Sequence, residues 1–397
     1  MLIPLTKGKN MIATLKKLTI LLVLAAIIIS FAVPVFAESV TDDIPDITSA
    51  AIVTEATTGQ VLYEYNSHKR LPMASVTKLM CLLIWAEEME KGSFDYETVI
   101  TATARANAMD GSVIWLNVGE EMSAYDLIRS VVIASANDAC VAVCEHISGT
   151  EEAFVSRMNK RAQELGMTDT HYENCVGLDA ENHYTSAYDT AILSAAVARY
   201  DCYNEFYSTR LDYVREGERQ TQLLNTNKLM QSYNGIIGGK TGTTDKAGCC
   251  LSVWAKRGDM TLCAVALGCK ESEQRFAACA ALLDYGFAGF EVFRIAVSAA
   301  MLPPIPVTEG LGKQVDVRVK RLATIVIPKG SSKRIQYSSS TVETLTAPVA
   351  YGMKVGELRA ALDGEELFYG EIVTTSEIEE LNFFSSLRIM LESLFSL

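Results

Sequence analysis

Pro72-Met73-Ala74-Ser75-Val76-Thr77-Lys78-Leu79-Met80 opens a run that continues through Leu82, Leu83, Ile84 and Trp85 to Glu90 and stops at Gly92. Its apolar side chains point in nearly every direction around a helical turn, and a helix that is apolar all round is buried inside a domain. Ser75 and Lys78 stand at its head, three residues apart and on one face. A serine hydroxyl is a weak nucleophile until a base takes its proton. A lysine in an apolar site is pushed toward its neutral form by desolvation and can serve as that base near pH 7. Backbone N–H groups at a helix start add donors for an oxyanion. The spacing S-x-x-K is common by chance and also describes a surface helix cap, so its weight comes from its place at the head of an apolar helix.

Working outward, Ala50–Thr54 and Val61–Tyr65 are apolar runs joined by Ala56-Thr57-Thr58-Gly59-Gln60, which reads as a hairpin. Helical spacing recurs from Ala124 to about Gly149, from Glu151 to Leu165 and from Ser186 to Tyr200. Residues 235–268 switch to strands, and Glu273 to Tyr285 returns to helix. Helices enclosed between an early hairpin and late strands predict an α/β domain over residues 45–292, an antiparallel sheet flanked by helices with an all-helical subregion. After Met301-Leu302-Pro303-Pro304 the texture becomes short alternating strands such as Val315–Val319 and Thr324–Ile327, which predicts a small β-sandwich domain over 303–376. Leu381–Leu397 then places Phe383, Phe384, Leu387, Met390, Leu391, Leu394 and Phe395 on one helical face. That amphipathic stripe reads as an in-plane membrane anchor, the alternative being a helix packed on the β domain.

Two further sets join the first. Ser135-Ala136-Asn137 follows an apolar helical stretch, where polar side chains are costly unless they find partners. A second serine and a carboxamide there can relay a proton and hold an amide. Lys240-Thr241-Gly242-Thr243 begins a late strand, offering a cation and two hydroxyls to a carboxylate, with a glycine that permits close approach. Each set is common alone; the three in this order are the combination found in penicillin-binding proteins and class A β-lactamases.

The ends and the composition bound the reading. Residues 1–37 carry Lys7, Lys9, Lys16 and Lys17 and no acid, then an apolar run ending at Val35-Phe36-Ala37. This is the pattern of a secretory signal cleaved after Ala37, the alternative being a retained anchor; Met11 is a second candidate start. The whole chain has 397 residues, 49% of them hydrophobic, and a formal charge of −13, so it can build a large core and has no electrostatic reason to approach nucleic acid. Ten cysteines in an exported chain normally mean disulfides, but Cys140 and Cys144 lie one helical turn apart and Cys249 and Cys250 are adjacent, which suits free thiols. The four histidines, His68, His146, His171 and His183, lack metal-ligand spacing, and no C-x-x-C occurs, so no metal site is expected and His183 reads as a structural hydrogen-bonder.

The chain resembles the D-alanyl-D-alanine carboxypeptidases of the low-molecular-mass penicillin-binding type. The resemblance rests on residues 56–63, 72–80, Ser135-Ala136-Asn137-Asp138-Ala139, Gly177-Leu178-Asp179 with His183-Tyr184-Thr185, and Gly239-Lys240-Thr241-Gly242. It implies a serine peptidase without cofactor, acting outside the cytoplasm on peptidoglycan stem peptides ending in D-Ala-D-Ala and inhibited by β-lactams. It also implies that the closing helix attaches the protein to the outer face of the cytoplasmic membrane. In that reading Ser75 is the nucleophile, Lys78 the general base, and Ser135, with Lys240, the route of the proton to the leaving D-alanine. Asn137 orients the substrate amide, while Thr241 and Thr243 receive the terminal carboxylate with Arg275 beside them. The backbone N–H groups of Ser75 and Thr243 form the oxyanion hole. Thr243 and the Cys249-Cys250 pair depart from the family's usual residues.

Three rivals remain. Residues 235–241 approach a phosphate-binding loop but carry Asn234 where that motif requires a glycine. A class A β-lactamase needs an extra carboxylate to activate the deacylating water; Glu173-Asn174 lies in the right interval but does not follow the usual pattern, and the added β domain and terminal helix also argue against it. A non-catalytic peptidoglycan-binding protein would use the same pocket without turnover.

Overall fold

The computed structural model describes residues 41–395; the expected leader, residues 1–37, lies outside the described residues. Five strands form the main sheet: β1 (Ala50–Glu55), β2 (Val61–Tyr65), β3 (Ile236–Thr244), β4 (Gly248–Arg257) and β5 (Met260–Cys269). Their order is β2-β1-β5-β4-β3 with every pairing antiparallel, so the sheet is sewn from both ends of the domain. All of β1 is buried because β5 pairs along its full length, from Ala50 opposite Leu267 to Glu55 opposite Leu262. β3 is left as an edge.

Seven helices matter here: α1 (Lys78–Glu90), α2 (Ala124–Ala134), α3 (Asn137–Ser148), α4 (Glu151–Glu164), α5 (Ala187–Val197), α6 (Ser272–Gly289) and α7 (Phe383–Phe395). α6 covers one face of the sheet, packing Leu282 and Leu283 among Leu251, Val253, Leu262 and Ala264. The helical lobe covers the other, with Ile52, Val265 and Leu267 meeting the side chains of α1, α3 and α5. α1 runs through the middle of that lobe, and its residues from Lys78 to Ala86 are all buried, as its all-round apolar pattern predicts. Side-chain caps fix three helix starts: Ser123, Thr150 and Ser186 each accept the N–H three residues on.

Two boundaries differ from the sequence reading. The helix expected from Ser75 begins as a tight 3₁₀ turn over Ala74–Thr77 and becomes α-helical at Lys78. The helical spacing from Ala124 to Gly149 is interrupted at Ser135, which sits at φ +64° and caps α2 before α3 starts at Asn137. A left-handed residue ends a helix whatever the hydrophobic period on either side of it.

The C-terminal region has its own core, running from Ile295 to Ile378. Strands Val317–Val319, Glu365–Thr374, Lys354–Leu362 and Ile335–Thr341 form an antiparallel sheet in that order. Gln314–Val315, Ile305–Thr308 and Leu345–Thr346 form a second sheet sharing that core. The alternating run Val315–Val319 is thus split between two sheets rather than forming one strand. Strand Phe290–Arg294 pairs with Thr324–Pro328 and ties the end of α6 to this region. α7 leaves Phe383, Phe384, Met390 and Leu391 exposed, so it does not bury its apolar face on the β region. Among the described residues no helix is long and apolar enough to cross a membrane.

Candidate active site

The three motifs converge on one cleft of about 330 Å³ between the edge strand β3 and the helical lobe, lined by Ser75, Ser135, Asn137, Thr241, Gly242, Thr243 and Arg275 among others. Two residues with positive φ deliver the hydroxyls: Ala74 at +49° immediately precedes Ser75, and Ser135 itself is at +64°. Such conformations cost free energy in a residue with a Cβ and persist only where the surroundings over-determine them.

At the floor, Lys78 Nζ has three partners: Ser75 Oγ at 2.7 Å, Asn137 Oδ1 at 2.7 Å and the Val176 carbonyl at 2.8 Å. The carboxamide orientation follows from its other end, where Asn137 Nδ2 donates to the Asp110 carbonyl at 2.6 Å. Two of the three partners can only accept, and the third is a hydroxyl. A neutral amine donates its two hydrogens to Asn137 and Val176 and turns its lone pair to Ser75, satisfying every group. Complete burial lowers the Lys78 pKa below the ordinary lysine value, which favours that state. Ser75 Oγ to Val176 O is 3.4 Å, too long to compete for the hydroxyl proton.

Lys240 Nζ, also buried, lies 2.8 Å from Ser135 Oγ and 2.9 Å from the Thr241 carbonyl. Burial holds its pKa well below normal. Thr241 Oγ1 donates to Thr226 Oγ1 at 2.7 Å. Arg275, reaching over from α6, places Nη1 2.9 Å from Thr243 Oγ1 and 3.0 Å from the Gly242 carbonyl. All nine residues expected from the sequence at the site, Ser75, Lys78, Ser135, Asn137, Lys240, Thr241, Gly242, Thr243 and Arg275, therefore meet at this cleft or its floor. The lysine motif lies within the second half of β3, however, rather than at its start. Residues 236–241 lie in this edge strand, paired with β4, rather than in a loop, which removes the phosphate-loop reading.

Two glycines make the approach possible. A Cβ on Gly242 would fall 2.7 Å from the Met73 carbonyl and 2.9 Å from Ser75 N, so β3 passes directly against the turn that carries Ser75. A Cβ on Gly177 would fall 1.9 Å from the Ala74 carbonyl, and Gly177 is at φ +90°.

Several supporting residues escape the motif reading. Asp138 accepts the N–H groups of Ile114 and Leu116 at 3.1 and 3.0 Å, fixing the loop that brings Gly111 and Ser112 to the cleft. Asn174 Oδ1 gathers the N–H groups of Gly177 and Leu178 at 2.7 and 3.0 Å, shaping the segment that offers the Val176 carbonyl. The signal at Asn174 is an Asx residue just before a turn, too frequent to single out, while Asp138 acts from within α3 on a loop far back in the chain. His183 accepts from the Glu173 N–H at 3.0 Å through Nδ1, which leaves Nε2–H to donate to Thr77 Oγ1 at 2.8 Å. Burial lowers its pKa to about 4, so it is neutral and structural, as expected.

The arrangement is that of a serine acyl-transferring enzyme, with a buried amine on the Ser75 hydroxyl and the Arg275 guanidinium at the other end of the cleft. The chain belongs to the D-alanyl-D-alanine carboxypeptidase family, whose model matches residues 38–271. A model for the C-terminal domain of penicillin-binding protein 5 matches residues 294–380. The chain is 33% identical over 379 residues to the D-alanyl-D-alanine carboxypeptidase DacF of Bacillus subtilis, covering 94% of this chain and 97% of that one. It is 31% identical to DacC of Escherichia coli, covering 91% and 92%. Among solved structures, penicillin binding protein 5 of Haemophilus influenzae superposes with a TM-score of 0.74 at 29% identity, covering 84% of this chain and 98% of that one. Penicillin binding protein 6B of Escherichia coli gives 0.68 at 26%, covering 82% and 94%. The protein is a serine-type carboxypeptidase of the penicillin-binding class.

Proposed function

We propose that Ser75 attacks the carbonyl carbon of the penultimate D-alanine of a peptidoglycan stem peptide while Lys78 takes its proton. The observation that carries this is the set of three partners around Lys78 Nζ, which a neutral amine satisfies and which leaves its lone pair on Ser75 Oγ. The C–N bond then breaks, and the leaving D-alanine amine receives a proton through Ser135, which is hydrogen-bonded to Lys240. Water attacks the acyl-enzyme and frees Ser75. Ser75 and Thr243 N–H groups serve as the oxyanion hole, a role supported by the tight passage of Gly242 against Ser75 N. The substrate carboxylate goes to Thr241, Thr243 and Arg275, in a cleft whose described lining holds no aspartate or glutamate. Asn137 positions both Lys78 and the substrate amide.

The same lining argues against β-lactam turnover of the class A type, which uses a carboxylate to activate water. Glu173 is exposed and its carboxylate accepts the Asn182 N–H at 2.9 Å instead. In this reading the protein acts after export through its N-terminal leader and is held at the outer face of the cytoplasmic membrane by α7.

The decisive assay is release of D-alanine from diacetyl-L-lysyl-D-alanyl-D-alanine by residues 38–397, beside Ser75→Ala and a chromogenic β-lactam. Ser75-dependent D-alanine release with slow β-lactam turnover is expected. Rapid β-lactam hydrolysis without D-alanine would make the protein a β-lactamase, and silence in both assays would leave a binding protein.

A further inference from the structure

Directly behind the active site the fold gathers cysteines that the sequence scatters. Cys81 follows Lys78 by one turn of α1, and Cys140 follows Asn137 by one turn of α3, with Cys144 a turn further on. Their three sulfur atoms lie within 4.8 Å of one another, and all three side chains are fully buried. Cys175 joins them from the loop preceding Val176: its carbonyl lies 3.1 Å from Cys81 Sγ and 3.6 Å from Cys140 Sγ. The Cys175 thiol itself lies 3.4 Å from Oε1 of Glu151, a buried acid paired with Arg105.

We propose that Cys81, Cys140 and Cys144 form a site for a thiophilic divalent cation of the zinc class, with Cys175 as the adjacent fourth donor. Cysteine thiolates from separate elements, closely spaced and sealed from water, are the donor set of a structural zinc site. Glu151, holding the Cys175 thiol, is the kind of carboxylate that orients a ligand from behind. Linear spacing hid the site because α1, α3 and the 175 loop meet only in the folded chain. Binding exchanges one divalent ion for the protons of the coordinating thiols, which pass to solvent. The ion would join the three segments that present Ser75 and Lys78, Asn137, and the Val176 carbonyl, thereby fastening the cleft from below. The other reading is that four small apolar side chains merely fill the core.

The test uses the full chain, produced in cells grown with added zinc and purified without chelator. Elemental analysis is expected to find about one zinc per chain. Cys140→Ala and Cys81→Ala should lower that content at least about tenfold, while Cys263→Ala, in β5 and outside the cluster, should keep it. Because a core variant can fail to fold, the wild-type chain produced with cobalt gives a second readout. Thiolate-to-cobalt charge transfer and intense visible bands of tetrahedral sulfur coordination are expected. Wild-type protein that holds neither zinc nor cobalt overturns the proposal, and so does zinc retained undiminished in folded Cys140→Ala.

Discussion

Asn137 Oδ1 lies 2.7 Å from Lys78 Nζ and gives the buried amine an acceptor that carries no charge. A neutral carboxamide accepts one amine hydrogen without adding charge, so burial remains free to depress the Lys78 pKa. Acylation by a fluorescent penicillin should therefore rise with pH and level off below the pH at which an ordinary lysine titrates. Asn137→Asp puts an anion against the ammonium, favours the protonated form, and should move that profile up by about one to three pH units. Lys78→Met should slow acylation by about 10²- to 10⁴-fold at every pH. An Asn137→Asp profile that stays in place would separate the amine from proton removal.

His183 anchors the same turn from the far side through Thr77. Its folded pKa, about 4, lies below the unfolded value, so between them the unfolded chain binds the extra proton. The stabilisation is complete above about pH 6.5 and is lost as pH falls toward 4, on the order of 3 kcal/mol in all. Chemical denaturation of wild type and His183→Gln across this range should show the wild-type advantage shrinking with acid. A constant difference would mean that the ring does not titrate with unfolding.

The positions where the sequence was legible share a physical reason. α1 is covered on all sides, so its whole circumference is apolar and reads as buried. Lys78, Ser135, Asn137 and Lys240 are buried polar residues beside apolar runs, and such burial demands partners; Ser75, half-buried, stands at the head of one such run. What the sequence hid depends on contacts between distant segments. The break at Ser135 is a single left-handed residue inside an unbroken helical period, held by the Asn137 N–H on the Ser112 carbonyl at 2.6 Å. Asp138 and Asn174 act on backbone amides of loops, and nothing in their neighbours' composition marks those amides as needing an acceptor.

Gly177 is the sharpest steric constraint on the nucleophile. With a Cβ placed 1.9 Å from the Ala74 carbonyl, Gly177→Ala must displace either the 3₁₀ turn or the 174–178 segment. Misplacing Ser75 by about 1 Å is expected to cost at least about 100-fold in acylation rate. Gly166→Ala is the control: its φ is +77°, but nothing lies within 4 Å, so it should lower stability and leave the rate alone. Equal rates in the two folded variants would show that the Ala74 turn yields to the added methyl.

Arg275 carries a different kind of constraint, since its guanidinium already spans the Thr243 hydroxyl and the Gly242 carbonyl. Arg275→Ala should reduce kcat/KM for D-alanine release by about 10- to 100-fold, the worth of a charge-assisted hydrogen bond to the substrate carboxylate. Arg275→Lys should recover only part, because an ammonium cannot reproduce the planar fork. A substrate amidated at its C-terminus should lose the distinction between wild type and variants. If the amide remains as sensitive as the acid, Arg275 supports β3 and does not read the carboxylate.

The proposed membrane attachment through α7 rests on the apolar side chains that the helix leaves exposed. Phe383 is 74% exposed, Phe384 80% and Leu391 45%, an apolar stripe open to solvent. Near it lie Glu377, Glu379 and Glu380, so anionic lipid offers no attraction, and binding must come from apolar burial in the interface. Each such side chain contributes about 1.5–3 kcal/mol when buried, which makes two of them worth at least a hundredfold in partitioning. Phe383→Asp with Phe384→Asp should release residues 38–397 from zwitterionic vesicles by about that factor, with little dependence on salt, and leave D-alanine release unchanged. Vesicle binding that survives the double substitution, or that vanishes in high salt, would move attachment to another part of the protein.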